Sequence, residues 1–143
     1  MLPSPNGAEV TLAVAATAPV ILAGSLRNAR AVAAAAAAIG GTFNVIPAGE
    51  RRRDGSLRPA LEDWIGAGAI LRHLPGSQSP EAGAAVAAFE RYQDCLIETL
   101  DRCGSGRELH ERGHTDDTRL AGALDVSACI PRFDGVAFAG SPA

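Results

Sequence analysis

Apolar positions along the chain fall into short β-type runs and longer helix-type stripes. Residues 20–23 and 42–46 are short, contain β-branched side chains and are bounded by Pro or Gly, so they predict buried strands. Between them, residues 26–39 predict an alanine-rich helix that ends at Gly40 and Gly41. This strand–helix–strand order with short connections predicts a parallel pair of strands joined by a right-handed crossover.

The remainder of the chain is predicted to be mainly helical. Apolar side chains recur there at spacings of three and four, and Ser79 followed by Pro80 is a strong helix start. The predicted helices cover residues 10–18, 59–74, 79–102, 106–112 and 115–124, with a loop over 51–58 and short strands over 126–130 and 136–139. The predicted fold is α/β, a three-layer sandwich with a partly parallel β-sheet, in a single domain over residues 1–143.

Composition excludes several classes of protein. The 143 residues are 47% apolar with a mean hydropathy of +0.08, which argues against disorder, and no apolar run reaches the about 18–20 residues of a membrane span. A net charge of −3 argues against a general nucleic-acid binder. Three cysteines and the lack of a signal-peptide pattern predict a cytoplasmic protein with reduced thiols.

Charge is distributed unevenly between the two parts of the chain. Residues 1–60 carry a net charge of +3, and residues 61–143 carry −6. A mildly cationic segment on an acidic protein favours a local anion site over a broad polyanion-binding surface.

The first candidate site is the loop from Gly24 to Asn28, between a predicted strand and a predicted helix. Free N–H groups and the helix dipole make such a loop a natural anion site. Ser25 offers a hydroxyl, Arg27 a fork of N–H donors and Asn28 an amide. The structural alternative is that Ser25 caps the helix and Arg27 is an ordinary surface residue.

Carboxylates form the second group of candidates. Glu50 follows the second predicted strand, where it could bind a metal, hold Arg27 or be an ordinary turn residue. Glu62 and Asp63 begin a predicted helix, where they either complement the helix dipole or offer oxygen ligands to Mg²⁺. In the same helix, Gly66 and Gly68 interrupt an alanine-rich sequence, which suggests close packing or close approach of a ligand.

The order of these motifs resembles the 2-phosphosulfolactate phosphatase family. The resemblance rests on Pro5-Asn6-Gly7, on Gly24-Ser25-Leu26-Arg27-Asn28-Ala29 with Val32-Ala33, on Glu62-Asp63 with Gly66-Ala67-Gly68-Ala69-Ile70, on Ser105-Gly106-Arg107-Glu108-Leu109 with Gly113, and on Leu124-Asp125-Val126. It implies an α/β, cytoplasmic, Mg²⁺-dependent phosphatase. Such an enzyme hydrolyses 2-phospho-3-sulfolactate to 3-sulfolactate and phosphate, in coenzyme M or other sulfonate metabolism.

The resemblance also implies roles for individual residues. We expect Asn6, Gly7, Gly24, Ser25 and Arg27 to bind substrate. Asn28, Glu62 and Asp63 are the expected catalytic residues, and the two acids are the expected Mg²⁺ ligands. Glu50 is a weaker ligand candidate, because many family members have a Gly-Thr type turn where this chain has Gly49-Glu50.

The start of the sequence at the Asn6-Gly7 turn leads to a further expectation. Family members extend upstream of this turn, so we expect the chain to represent the carboxyl-terminal part of the family fold. Two alternatives to a self-sufficient phosphatase follow: a non-catalytic homologue that binds a small phosphorylated or sulfonated acid, or a subunit that needs a partner. The expected partners are a small phosphorylated organic acid and another copy of the chain in a homo-oligomer, with neither nucleic acid nor membrane.

Overall fold

The structure, a computed structural model, is a mixed helical and β protein and describes residues 5–52 and 54–142. Its helices are α1 Pro5–Val14, α2 Ala29–Ile39, α3 Leu61–Leu71, α4 Pro80–Tyr92, α5 Leu96–Arg102, α6 Gly104–Glu111 and α7 Thr115–Ala121, with 3-10 turns at Leu26–Asn28 and Gln93–Cys95. Its strands are β1 Glu50–Arg51, β2 Leu57–Arg58, β3 Cys129–Phe133 and β4 Phe138–Pro142. Among the described residues, no helix is long and apolar enough to cross a membrane.

Helix α3 lies at the centre of the core. One side packs on α4, where Gly68 allows the backbones to touch, and another side packs on α2 through small side chains such as Ala29 and Ala33. Phe89 and Ile65 are fully buried between the helices. The glycine interpreted as a close-packing position is confirmed, because an added Cβ at Gly68 would lie 2.0 Å from the carbonyl oxygen of Ala85.

The helix predictions agree well with the structure. The predicted helix over 79–102 is present as α4 and α5, separated by a 3-10 turn, and Ser79 caps α4 by accepting the N–H of Ala82 at 3.2 Å. The first helix was predicted too late in the chain. It begins at Pro5, because proline suits the first position of a helix, and the predicted turn Pro5-Asn6-Gly7 therefore forms its first turn.

The β-structure differs from the prediction. Both sheets of the described residues are antiparallel hairpins, β1–β2 and β3–β4. The first hairpin occupies the predicted loop over 51–58, and the second is shifted by two or three residues from the predicted strands. Among the described residues, no ladder joins residues 20–23 to residues 42–46, although both segments line the same cavity.

Residues 20–23 are extended, as predicted, but their neighbour is β3. Leu22 forms an antiparallel bridge with Arg132, flanked by hydrogen bonds from the N–H of Ala23 to the carbonyl of Pro131 and from the N–H of Phe133 to the carbonyl of Ile21. The sequence pattern indicated an extended segment correctly, but residues 20–23 are half-buried and not buried as predicted. It could not indicate the pairing, because apolar periodicity does not distinguish one partner strand from another.

Candidate functional site

A cavity of about 830 Å³ brings most of the predicted site residues together. Its walls are α1, residues 17–27, residues 39–48 and the first turns of α3. The predicted residues that line it are Gly7, Gly24, Ser25, Arg27, Glu62 and Asp63. The structure therefore places the predicted anion-binding loop and the predicted carboxylate pair on one cavity, although they are more than 30 residues apart in sequence.

Asn28 holds the loop in its conformation. Its amide oxygen accepts the N–H of Ser25 at 2.8 Å and the Ser25 hydroxyl at 3.1 Å. Its amide nitrogen donates to the carbonyls of Ala23 at 3.3 Å and Cys129 at 3.0 Å. The side chain is buried and does not line the cavity, and all of its usual hydrogen-bonding capacity is used within the chain.

The loop leaves backbone donors available beside the cavity. Among the described residues, no hydrogen bond uses the N–H groups of Leu26 and Arg27, which lie at the start of the 3-10 turn. The Ser25 residue is exposed, and the Arg27 guanidinium donates to the carbonyl of Leu120 at 2.7 Å. A serine hydroxyl, two N–H groups and a guanidinium are suitable donors for a phosphate or sulfonate oxyanion.

Residues 125–127 hold this loop in place through hydrogen bonds to its backbone. Asp125 donates its N–H to the carbonyl of Leu26 at 3.0 Å, and Ser127 donates to the carbonyl of Arg27 at 2.9 Å. The Asp125 carboxylate accepts the N–H of Arg30 at 2.7 Å and lies 3.8 Å from Nε2 of His73. Sequence reasoning gave Asp125 no role, and the only available signal was its place in the family-like Leu124-Asp125-Val126 segment.

The two acids at the start of α3 add carboxylates to the lining of the same cavity. Asp63 accepts the N–H of Gly49 at 2.7 Å, which ties the segment after residues 42–48 to α3. Burial raises the pKa of Asp63, and the nearby charges of Glu62 and Glu50 raise it further, against the lowering effect of the Gly49 N–H. Gly49 adopts φ +68°, so a side chain there would be strained.

Glu62 has a partner that sequence reasoning missed. The thiol of Cys103 lies 3.6 Å from Oε2 of Glu62 and also contacts the carbonyl of Leu100 at 3.1 Å. Burial raises the pKa of Cys103, and Glu62 adds to the rise, so the thiol stays protonated and can donate to the carboxylate. The two residues are 41 positions apart, and no local pattern predicts such a contact.

The other predicted residues form a separate group beside the cavity. Asn6 donates to Oε2 of Glu50 at 3.2 Å and accepts the N–H of Arg51 at 3.2 Å. Neither Asn6 nor Glu50 lines the cavity, and among the described residues no hydrogen bond joins Glu50 to Arg27, which donates to the carbonyl of Leu120. The structure thus uses Asn6 to join α1 to β1, while Glu50 contributes negative charge near Asp63.

The acidic side chains of the cavity offer a small set of oxygen ligands to a divalent metal. Among residues 5–52 and 54–142, no group of three or more His, Cys, Asp or Glu side chains is arranged to hold a metal ion. The Glu62–Asp63 pair still fits Mg²⁺, which is usually bound through one or two carboxylates while phosphate and water complete its shell. Burial is the main cause of the raised pKa of Asp63, with a smaller contribution from the charges of Glu62 and Glu50, and a bound cation would favour the charged form of this carboxyl.

Fold and cavity together define a mixed α/β protein in which a loop with hydrogen-bond donors shares one cavity with a pair of carboxylates. The sequence profile of the 2-phosphosulpholactate phosphatase family matches residues 1–135, so the chain belongs to this family. The resemblance given by the short motifs is thereby confirmed.

Two curated relatives agree with this assignment. The chain is 40% identical over 73 residues to a probable 2-phosphosulfolactate phosphatase of Gloeobacter violaceus. This match covers 51% of this chain and 31% of the relative. It is 30% identical over 81 residues to a probable 2-phosphosulfolactate phosphatase of Thermosynechococcus vestitus. This match covers 50% of this chain and 33% of the relative. The matched segment spans about a third of the length of either relative.

Proposed function

We propose that this chain is a Mg²⁺-dependent phosphatase that hydrolyses 2-phospho-3-sulfolactate to 3-sulfolactate and phosphate. The observation that carries the proposal is the single cavity that Ser25 and Arg27 share with Glu62 and Asp63. Family membership and the names of the two relatives support the same substrate. We also propose a cytoplasmic location, consistent with three free cysteines, and a three-layer fold with a partly parallel sheet.

Oxyanion recognition falls to the loop between residues 24 and 28. The N–H groups of Leu26 and Arg27, the Ser25 hydroxyl and the Arg27 guanidinium would bind the phosphoryl or sulfonate oxygens. The same donors would stabilise the charge that develops on the phosphoryl oxygens as the ester bond breaks. Asn28 acts in this proposal as a positioning residue, because its amide is fully engaged in shaping the loop.

Glu62 and Asp63 are the proposed ligands of Mg²⁺, with Glu50 nearby as a weaker candidate. When bound, the metal would act as a Lewis acid on a phosphoryl oxygen. The Gly49 N–H holds one oxygen of Asp63, and the Cys103 thiol orients Glu62, so both carboxylates are positioned before substrate arrives. Two carboxylates leave room for the substrate oxyanion and water in the metal shell.

The proposal is tested by adding 2-phospho-3-sulfolactate to the full chain with Mg²⁺ and measuring both binding heat and phosphate release. We expect saturable binding and turnover, both lost when EDTA removes the metal. Saturable binding without phosphate release would instead support a non-catalytic homologue that binds a phosphorylated or sulfonated acid. The absence of both would contradict the proposed site.

A further inference from the structure

The two glycines inside α3 have different surroundings. Each weakens the helix, because glycine is a poorer helix former than alanine. Gly68 is explained by close packing on α4, since an added Cβ there would lie 2.0 Å from the carbonyl oxygen of Ala85. At Gly66, outside its own stretch of α3, the one described heavy atom within 4 Å of an added Cβ is the backbone nitrogen of Leu26, at 4.0 Å. Close packing therefore does not explain Gly66.

Gly66 borders the cavity, although it is buried. It is one of the buried residues of α3, and it lines the cavity together with Leu26. It follows Glu62 by four positions and Asp63 by three, so the three residues share one side of the helix. The missing side chain leaves space beside the Leu26 nitrogen, on the side of α3 that carries the carboxylate pair.

The N–H of Leu26 is directed away from α2. The carbonyl of Ser25 accepts the N–H of Asn28 at 3.3 Å, so this carbonyl points along the turn toward α2. In a trans peptide the carbonyl and the following N–H point to opposite sides, so the Leu26 N–H points the other way. Among the described residues, no backbone carbonyl accepts it. An oxygen that accepted it would lie about 2.9 Å from the nitrogen.

A side chain at position 66 would compete with such an oxygen for space. A Cβ 4.0 Å from the Leu26 nitrogen makes an ordinary contact with the protein, but it would overlap an oxygen bound to that nitrogen on the α3 side. We propose that Gly66 is a specificity-determining residue whose missing side chain admits a tetrahedral oxyanion, phosphoryl or sulfonate, to the Leu26 N–H. The inference rests on the oxyanion site of the proposed function.

Two matched substitutions separate this role from a general effect on the helices. Gly66→Ala and Gly83→Ala each add one methyl group inside a helix. An added Cβ at Gly83 meets nothing within 4 Å, and Gly83 does not line the cavity. Because alanine is the better helix former and neither Cβ clashes with the protein, both variants should unfold at a temperature no lower than the parent.

The test titrates the full chain with magnesium sulfate and, as a reference, with magnesium chloride, and follows the backbone amides by NMR. Sulfate is a tetrahedral oxyanion that stays soluble with Mg²⁺. We expect a sulfate-specific shift at the Leu26 amide, with the same affinity in the parent and in Gly83→Ala. We expect sulfate binding at least about tenfold weaker in Gly66→Ala, because overpacking excludes the anion while the fold is kept.

Several results would overturn the inference. These are equal sulfate affinity in all three proteins, a sulfate-specific shift that leaves Leu26 unaffected, and no sulfate-specific shift in the parent. A lower unfolding temperature of Gly66→Ala would also overturn it, because residue 66 would then be a packing position.

The inference and the proposed function can fail separately. Phosphate release from 2-phospho-3-sulfolactate is measured independently, and its absence would contradict the proposed activity while leaving sulfate binding at Leu26 intact. Turnover by the parent together with unchanged sulfate affinity in Gly66→Ala would contradict only the role given to Gly66.

Discussion

At the residue scale, the loop proposed to bind the substrate oxyanion depends on one buried amide. Asn28 joins Ala23, Ser25 and Cys129 through four hydrogen bonds. Its place at the start of a helix was predicted from sequence. The catalytic role expected for it stays a prediction, and its side chain does not line the cavity. Its structural task was not predictable, because the Cys129 carbonyl is 101 positions away along the chain.

Replacing Asn28 with Ala should destabilise the protein by about 1–3 kcal/mol, because two carbonyls and one N–H lose their partner at a partly buried position. The free energy of unfolding from urea denaturation measures this loss. Asn44→Ala is the matched control, since Asn44 is exposed and makes no side-chain hydrogen bond among the described residues, and should change stability by less than about 0.5 kcal/mol. Equal losses for the two variants would contradict the role given to Asn28.

Asp63 makes the stability of the protein depend on pH. Burial raises its pKa above the ordinary 3.8, so the folded state retains a proton that the unfolded state releases. Stability contributed by this protonated carboxyl is therefore present at low pH and is lost as the pH rises through the interval above 3.8.

Asp63→Asn should stabilise the protein at pH 7, because an amide can still accept the Gly49 N–H without placing charge beside Glu62 and Glu50. The gain should shrink as the pH is lowered toward 4. Urea denaturation of both proteins at the two pH values checks this, and Mg²⁺ affinity should fall in the same variant. A variant less stable than the parent at pH 7 would show that the carboxylate charge is favourable where it lies.

At the element scale, the contact between α3 and α4 fixes where the carboxylates lie. Gly68→Ala would place a Cβ 2.0 Å from the Ala85 carbonyl and 2.9 Å from Cβ of Phe89, so the helices must separate. We expect a loss of about 2–3 kcal/mol in the free energy of unfolding.

Gly83 of α4 provides the matched comparison for that substitution. An added Cβ there meets nothing within 4 Å, so Gly83→Ala should stabilise the protein by about 0.5–1 kcal/mol through helix propensity. Opposite signs in thermal or urea denaturation would support close packing at Gly68. A neutral Gly68→Ala would show that α3 and α4 can separate without cost.

Helices and strands could be predicted where the local sequence pattern determines them. They could not be predicted where they depend on residues that are distant in sequence. Ser79 and Pro80 mark the start of α4 in sequence as in structure. Residues 42–46 have the residue pattern of a strand, but they have no backbone partner among the described residues. The predicted strand is therefore not formed there. The predicted parallel pair failed for the same reason, since pairing depends on which backbone lies alongside.

At the scale of the whole molecule, folding brings two chemically opposite segments to one cavity. The cationic loop lies in the part of the chain with net charge +3, and Glu62 and Asp63 begin the part with net charge −6. Charge patterning predicted a local anion site, and the structure places the carboxylates on the same cavity as the loop. Cys103 and Asp125 complete the support of these two segments through contacts that only the folded chain creates.

The central claim is that Arg27 binds the substrate oxyanion beside the carboxylate pair. Its most direct test compares the Mg²⁺-dependent affinity for 2-phospho-3-sulfolactate, measured by calorimetry, between the parent chain, Arg27→Ala and Arg102→Ala. Arg102 is the charge-matched control, because its side chain is 79% exposed and pairs only with Glu98 among the described residues. We predict at least tenfold weaker binding for Arg27→Ala and unchanged binding for Arg102→Ala. Equal affinities for all three proteins would contradict the account.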